Sequence, residues 1–201
     1  MSGESNTDTT SSTSHGREFD VVVYGASGFV GELTARYLAD HAPIGTKIAL
    51  AGRNESKLTD ARKRLPLRAH DWPLIIADAE SPAALDAMVA RTQVVCTTVG
   101  PYLKYGEALI VAAATAGTDY VDLTGEPEFV DLMYLRHHRT AEASGARIVH
   151  ACGFDSVPYD LGALFTIEQL QPTGPVDMRG VVRAKAAFSG GTFHSAMGAF
   201  S

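Results

Sequence analysis

From Glu18 onward, short apolar runs alternate with stretches whose apolar residues recur at helical spacing. The runs predict strands over residues 19–24, 47–51, 73–77, 93–98, 119–123 and 147–152. Helices are predicted between and after them, near 29–41, 54–65, 82–91, 104–117, 127–144 and 158–170. In the first helix Val30, Leu33, Thr34, Tyr37 and Leu38 fall at i, i+3, i+4, i+7 and i+8, a single apolar stripe. Asn54 and Ser81 are suited to N-caps, Pro82 and Pro127 to first turns, and Gly117 and Gly145 to helix C-termini. Strands that are apolar almost throughout, each followed by a helix, indicate a parallel sheet covered on both faces. The expected fold is α/β, a Rossmann-like doubly wound parallel sheet.

After Gln171 the rhythm changes. Gln171-Pro172-Thr173-Gly174-Pro175 reads as a loop, residues 176–188 as a long strand, and no further helical pattern follows. We expect residues 18–157 to form the dinucleotide-binding domain. Residues 158–201 are expected to form a connecting helix and the truncated start of a second α+β domain. An unpaired strand over 176–188 would offer an edge to a second copy, so either a homodimer through that strand or its disorder is expected. Residues 1–17 are rich in Ser, Thr and Gly and lack an apolar core, which predicts a disordered tail and neither a signal nor a transit peptide.

The first strand runs straight into Gly25-Ala26-Ser27-Gly28-Phe29-Val30-Gly31. Three glycines three residues apart, with a strand before and a helix after, are the context in which a glycine-rich loop binds a pyrophosphate. Gly25 allows the tight turn, Gly28 lets backbone approach the phosphates, and Gly31 lets the helix lie close to the sheet. The helix N-terminus adds free N–H groups and a positive dipole end.

At the end of the second strand an NAD-binding fold usually places Asp or Glu against the ribose hydroxyls. Here the strand ends Ala51-Gly52-Arg53, and the cationic fork of Arg53 suits a 2′-phosphate, so NADP(H) is the expected cofactor. Asp78, just past the third strand, is placed either to meet the adenine amino group or to form a turn before Ser81-Pro82. Ligands of open α/β sheets bind beyond the carboxyl ends of the strands. Those ends include Thr98, Val99, Gly100 and Pro101 after strand four, Thr124-Gly125-Glu126 after strand five, and Gly153 to Pro158 after strand six.

Composition narrows the class. The chain has 201 residues, 45% apolar and 20% charged, with a net charge of −6 and no basic run, so nucleic acid is not an expected partner. No apolar stretch reaches the roughly 18–20 residues of a membrane span. Cys96 and Cys152 lie in apolar runs and read as buried, reduced thiols. Neither Cys-x-x-Cys nor His-Glu-x-x-His occurs, and adjacent His137 and His138 would diverge on a helix, so no metal is expected.

The segments Gly25-Ala-Ser-Gly-Phe-Val-Gly31, Ala51-Gly52-Arg53, Thr98-Val-Gly-Pro-Tyr102, Asp122-Leu-Thr-Gly-Glu126 and Gly153-Phe-Asp-Ser-Val-Pro158 resemble those of the saccharopine-dehydrogenase-like oxidoreductases. Within that group the chain is most similar to the actinobacterial trans-acting enoyl reductases. The resemblance runs from residue 18 to about 160 and continues into Ser189-Gly190-Gly191-Thr192. It implies an NADPH-dependent reductase of the α,β double bond of a polyketide or fatty-acyl thioester, held on a polyketide synthase carrier, in complex lipid synthesis. It also implies a second domain about as large as the first. The expected location is cytoplasmic, with peripheral membrane association as the alternative.

Enoyl reduction leaves charge on the thioester oxygen and needs a proton for Cα. Tyr102 is the candidate donor, or else packs over the cofactor; Tyr105, Asp155 and Ser156 are the other substrate-side candidates. Asp155 and Ser156 could equally cap the helix near Pro158. Short-chain dehydrogenases carry a Lys four residues after the catalytic Tyr. Tyr102, Tyr105, Tyr120, Tyr134 and Tyr159 are followed there by Gly, Leu, Thr, His and Ala, which disfavours that class. Two rivals stay open: a saccharopine-reductase-like amino-acid oxidoreductase and a non-catalytic NADP-binding redox sensor.

Overall fold

Alternate residues of β1 (Phe19–Tyr24) feed two different cores. Val22 and Tyr24 join one, and Val23, with Val21 packed against the same cluster, joins the other. This is the pleat expressing its period of two in a strand covered on both faces. The computed structural model describes residues 16–183. The remaining strands are β2 (Ile48–Gly52), β3 (Leu74–Ile76), β4 (Thr92–Thr97), β5 (Asp119–Val121) and β6 (Ile148–Val149). All pair in parallel in the order β3-β2-β1-β4-β5-β6. The order reverses between β1 and β4, and that is where a crevice opens in such sheets.

The helices are α1 (Phe29–His41), α2 (Glu55–Arg64), α3 (Pro82–Val89), α4 (Tyr102–Tyr105), α5 (Glu107–Ala116), α6 (Pro127–Ser144) and α7 (Val157–Leu170), with a 3-10 turn at Leu67–Ala69. Helices α1 and α2 cover one face, through Ala35, Ala39 and Leu58 against Val23 and Leu50. Helices α3, α5 and α6 cover the other, through Leu85, Met88, Leu109, Ile110, Phe129 and Met133. Burying each of these larger side chains contributes about 1.5–3 kcal/mol, so the two cores hold the sheet as a rigid platform.

Several details differ from the sequence reading. The predicted helix over 104–117 breaks at Gly106, where a Cβ would sit 2.5 Å from Cζ of Phe129. The Phe129 ring has taken that space, so the position requires glycine, which with α-helical angles links a short α4 to α5. Asn54 does cap α2, accepting from the Lys57 N–H at 2.9 Å, but the Ser81 side chain makes no capping bond. Arg17, assigned to the tail, is bound to the body: its guanidinium donates to the carbonyls of Val89 (2.9 Å) and Ala116 (2.6 Å). Five donors on one planar group let it gather carbonyls from the C-terminal ends of two helices. Residues 1–15 lie outside the described residues.

Cys96 is half-buried, whereas Cys152 is exposed rather than buried, because the chain leaves the short β6 before reaching it. Helix α7 forms as expected, yet none of its residues is buried. Residues 176–183 contain no strand, so the long strand expected over 176–188 is absent from its described part. Residues 184–188 and Ser189-Gly190-Gly191-Thr192 lie outside the described residues.

Candidate functional site

The turn from β1 to α1 is built from glycines with three different reasons to be there. Gly25 has φ +88°, and a Cβ on it would meet the Thr98 side chain at 2.7 Å. Gly31 is closer still: its Cβ would lie 2.2 Å from the Gly25 carbonyl oxygen. Gly28 has an extended backbone, φ −83° and ψ 166°, open to any residue, and its Cβ would meet only the Gly25 oxygen, at 3.3 Å. The protein's own packing therefore demands Gly25 and Gly31 but makes only a mild demand for Gly28. What a side chain at Gly28 would fill is the space before the first turn of α1. No side chain among the described residues caps that turn, so its first N–H groups are left without a side-chain partner, with the helix dipole behind them.

The cleft has a volume of about 270 Å³ and lies over the carboxyl ends of β1 to β4. Gly25, Ser27 and Gly28 border it, whereas the Ala26 side chain is buried in the α1–α2 core. Phe29, Val30 and Gly31 shape the start of α1 without lining the cleft. From β2 come Gly52 and Arg53. Arg53 is exposed and has no ion pair among the described residues. From β3 comes Asp78, which borders the cleft and whose carboxylate accepts from the Glu80 N–H at 3.0 Å as a turn residue. From β4 come Thr98, Val99 and Gly100, while Pro101 starts the next helix and lies outside the lining. The Thr98 hydroxyl is 3.3 Å from the Tyr24 carbonyl oxygen, fastening the β4 loop to the glycine turn.

The strand-end segments on the far side of the switch point are occupied differently. Asp122 is buried, and its carboxylate accepts from the Tyr120 hydroxyl (2.9 Å), the Thr124 N–H (3.0 Å) and the Ala151 N–H (2.9 Å), with His150 Nδ1 at 2.7 Å. The Glu126 carboxylate accepts from the Tyr102 and Leu103 N–H groups, at 3.1 and 2.9 Å. These two acids join the loops after β4, β5 and β6.

Tyr102 lies within this joined region, 5% exposed, against Phe129. Its hydroxyl donates to the Thr97 carbonyl (3.3 Å), and the Leu123 N–H approaches its oxygen at 3.5 Å. Burial raises the phenol above its ordinary range, so the proton is held. The geometry needed for a cleft-facing proton donor is therefore missing at Tyr102. Packing has claimed the ring, which lies against Phe129 with centroids 5.7 Å apart. Asp155 is exposed and Ser156 precedes α7 without a capping bond; neither borders the cleft. Tyr105 does border it, with the Lys104 ammonium 4.9 Å from its ring centroid. The sequence reading missed Tyr24, Gly52, Ala79 and Glu80 as lining residues. Their signal was positional, since each ends or directly follows a strand.

A doubly wound parallel sheet whose first turn carries this glycine cradle defines a dinucleotide-binding domain. Residues 21–149 match the saccharopine dehydrogenase NADP binding domain family, and the chain belongs to it. The residues fit its cofactor, NADP(H): backbone N–H groups with no Cβ before them, a cation after β2 with no ion pair among the described residues, and a glycine where NAD-binding chains place a carboxylate. The chain is 53% identical over 183 residues to a Mycobacterium tuberculosis (strain ATCC 25618 / H37Rv) protein that carries a provisional trans-acting enoyl reductase name. That match covers 89% of this chain and 43% of the relative. It is 56% identical over 145 residues to the trans-acting enoyl reductase of Mycobacterium leprae (strain TN), covering 72% of this chain and 34% of the relative. The chain thus spans less than half the length of these relatives. Among solved structures, saccharopine dehydrogenase (L-Glu forming) from Saccharomyces cerevisiae superposes with a TM-score of 0.61 at 20% identity, over 76% of this chain and 31% of that one, a likeness of fold. No helix among the described residues is long and apolar enough to cross a membrane.

Proposed function

We propose that this chain supplies the cofactor-binding part of an NADPH-dependent trans-acting enoyl reductase, acting on the α,β double bond of a polyketide or fatty-acyl thioester presented by a synthase. Bound NADPH supplies the hydride. The chain's own residues bind and orient. The uncapped N–H groups of α1 take the pyrophosphate, Arg53 takes the 2′-phosphate, and Asp78 faces the adenosine. Thr98, Val99 and Gly100 form the wall on the switch-point side, and Tyr105 is the cleft tyrosine left for an orienting or proton-donating role. Asp155 and Ser156 stand on the loop leading to α7, where an acyl chain would be held by the remainder of a longer protein. Work beside a synthase implies a cytoplasmic setting.

The observation that carries this reading is the unpaired Arg53 beside a glycine cradle, in a chain whose relatives are named as enoyl reductases. Calorimetric titration tests the cofactor half. Arg53→Ala should weaken NADPH roughly tenfold to a hundredfold, the worth of a charge-assisted bond, and leave NADH unchanged. Equal affinity of the native chain for both cofactors would overturn the assignment. The substrate half is tested by following NADPH oxidation with the protein at the length of its relatives. Oxidation driven by enoyl thioesters supports the reading. Oxidation driven only by an amino acid with an oxo acid would replace it with a saccharopine-type reaction. Binding with no oxidation under either regime would leave a redox sensor.

A further inference from the structure

One cleft residue has a polar group that the protein does not use. Tyr24 is 3% exposed, its ring packed in the core beneath α3 and α5. Its hydroxyl makes no hydrogen bond to any described residue, yet among the described residues no polar side-chain atom is left both buried and unsatisfied. The ring is in the core and the hydroxyl is at the cleft, which Tyr24 borders. A phenol anchored this way loses no side-chain freedom when it meets a ligand.

Its surroundings say which part of a ligand it meets. Tyr24 pairs with Ala51 across β1 and β2. Arg53 directly follows β2, two residues past Ala51, and borders the cleft together with Tyr24. Asp78, at the end of β3, borders the cleft from the other side. The phenol feels both groups. Burial, then the Asp78 carboxylate, push it up to about 12 against the opposing pull of Arg53, so it remains a hydroxyl through the neutral range.

We propose that the Tyr24 hydroxyl donates a hydrogen bond to the 2′-phosphate held by Arg53, making Tyr24 a specificity-determining residue for NADP(H) over NAD(H). This rests on the reading of Arg53 given above. A neutral donor suits the position physically. With Asp78 opposite, the phosphate needs a group that adds attraction on its near side, and a phenol requires no counter-charge while the cleft is empty of cofactor.

The test is Tyr24→Phe, which keeps the ring in the core and removes one oxygen. NADPH, NADH, adenosine 2′,5′-bisphosphate and 5′-AMP are titrated by calorimetry into the 201-residue chain and its variant. NADPH and the bisphosphate should each bind about tenfold more weakly, with NADH and 5′-AMP unchanged. Losses of equal size for all four ligands, or no loss for any, would overturn the proposal. In the Arg53→Ala background the further loss from Tyr24→Phe should shrink, since both groups hold one phosphate. Arg53→Ala and Tyr24→Phe fail separately. If Arg53→Ala removes the preference for NADPH and Tyr24→Phe does not, only the tyrosine's role falls. If Arg53→Ala leaves the preference intact, the 2′-phosphate reading itself is wrong.

Discussion

Where β1, β2 and β3 end, the chain presents the uncapped N–H groups of α1, an Arg53 and a Tyr24 hydroxyl, none of which has a side-chain partner among the described residues. Where β4, β5 and β6 end, Asp122 and Glu126 are spent on the loops beside them, and the Tyr102 hydroxyl is shared between two backbone groups. Both sets of residues sit at the carboxyl edge of one parallel sheet, where ligands of such folds bind. They are equally polar in sequence. The difference is whether the protein has already satisfied them. Satisfied groups hold loops in place and are costly to remove, while unsatisfied ones wait for a ligand and should matter little to the empty fold.

The comparison breaks most visibly at Asp122. Replacing it with Ala strands a buried tyrosine hydroxyl, His150 and two backbone N–H groups, and should lower stability by about 3–5 kcal/mol. A shifted denaturant midpoint at unchanged slope would report this, and the folded fraction should still bind NADPH, because Asp122 does not touch the cleft. Near-native stability in Asp122→Ala would mean that the far loops are not held by this carboxylate.

Gly28→Val should do the reverse. A branched side chain before the first turn of α1 should reduce NADPH affinity roughly a hundredfold by covering the N–H groups. Stability should fall by only about 1 kcal/mol, since the backbone there is extended and the lost preference is that of an N-cap. A folded Gly28→Val protein that binds NADPH as the native chain does would show that residues 25–31 are not the phosphate loop.

The smallest effect lies between α1 and α2, at Glu32 and Arg64, whose closest approach is 2.7 Å. The hydrogen bond from Arg64 holds the Glu32 carboxyl below its ordinary value of 4.5. A carboxyl depressed on folding adds stability above its unfolded value and loses it as pH falls through the folded one. Glu32→Gln should therefore cost up to about 1 kcal/mol at pH 7, limited by solvent screening at the exposed Arg64. The gap between the two proteins should close below about pH 4.5, in urea melts run across pH. A pH-independent gap would assign the effect to packing.

Much of the fold was legible because local chemistry and tertiary need coincide. The apolar runs and helical stripes placed all six strands and most helices, since a strand buried on both faces must be apolar throughout. Asn54 caps α2 by a bond three residues long, which needs nothing distant. The need for glycine at 106 was illegible for the opposite reason, because it is set by the Phe129 ring arriving from α6. Ser81 has the composition of a cap, yet its hydroxyl takes no part in one.

The candidate site divides the same way. The glycine cradle and Arg53 could be read in sequence because the requirements on them are set within a few residues: a positive φ, a helix start, a strand end. Which tyrosine faces the cleft could not. Tyr102, Tyr105 and Tyr24 all lie at strand ends or in the loops that follow them, and only packing distinguishes a ring sunk beside Phe129, a ring at the rim and a ring whose hydroxyl alone emerges. Likewise Glu126 reads as a cleft residue until the loop after β4 closes on its carboxylate. Sequence alone determined the elements and the phosphate turn, since backbone geometry and hydrophobic period are local properties. Tertiary structure decided which polar groups are already satisfied, because their partners come from loops about 20 to 30 residues away, brought together only when parallel strands line up their ends.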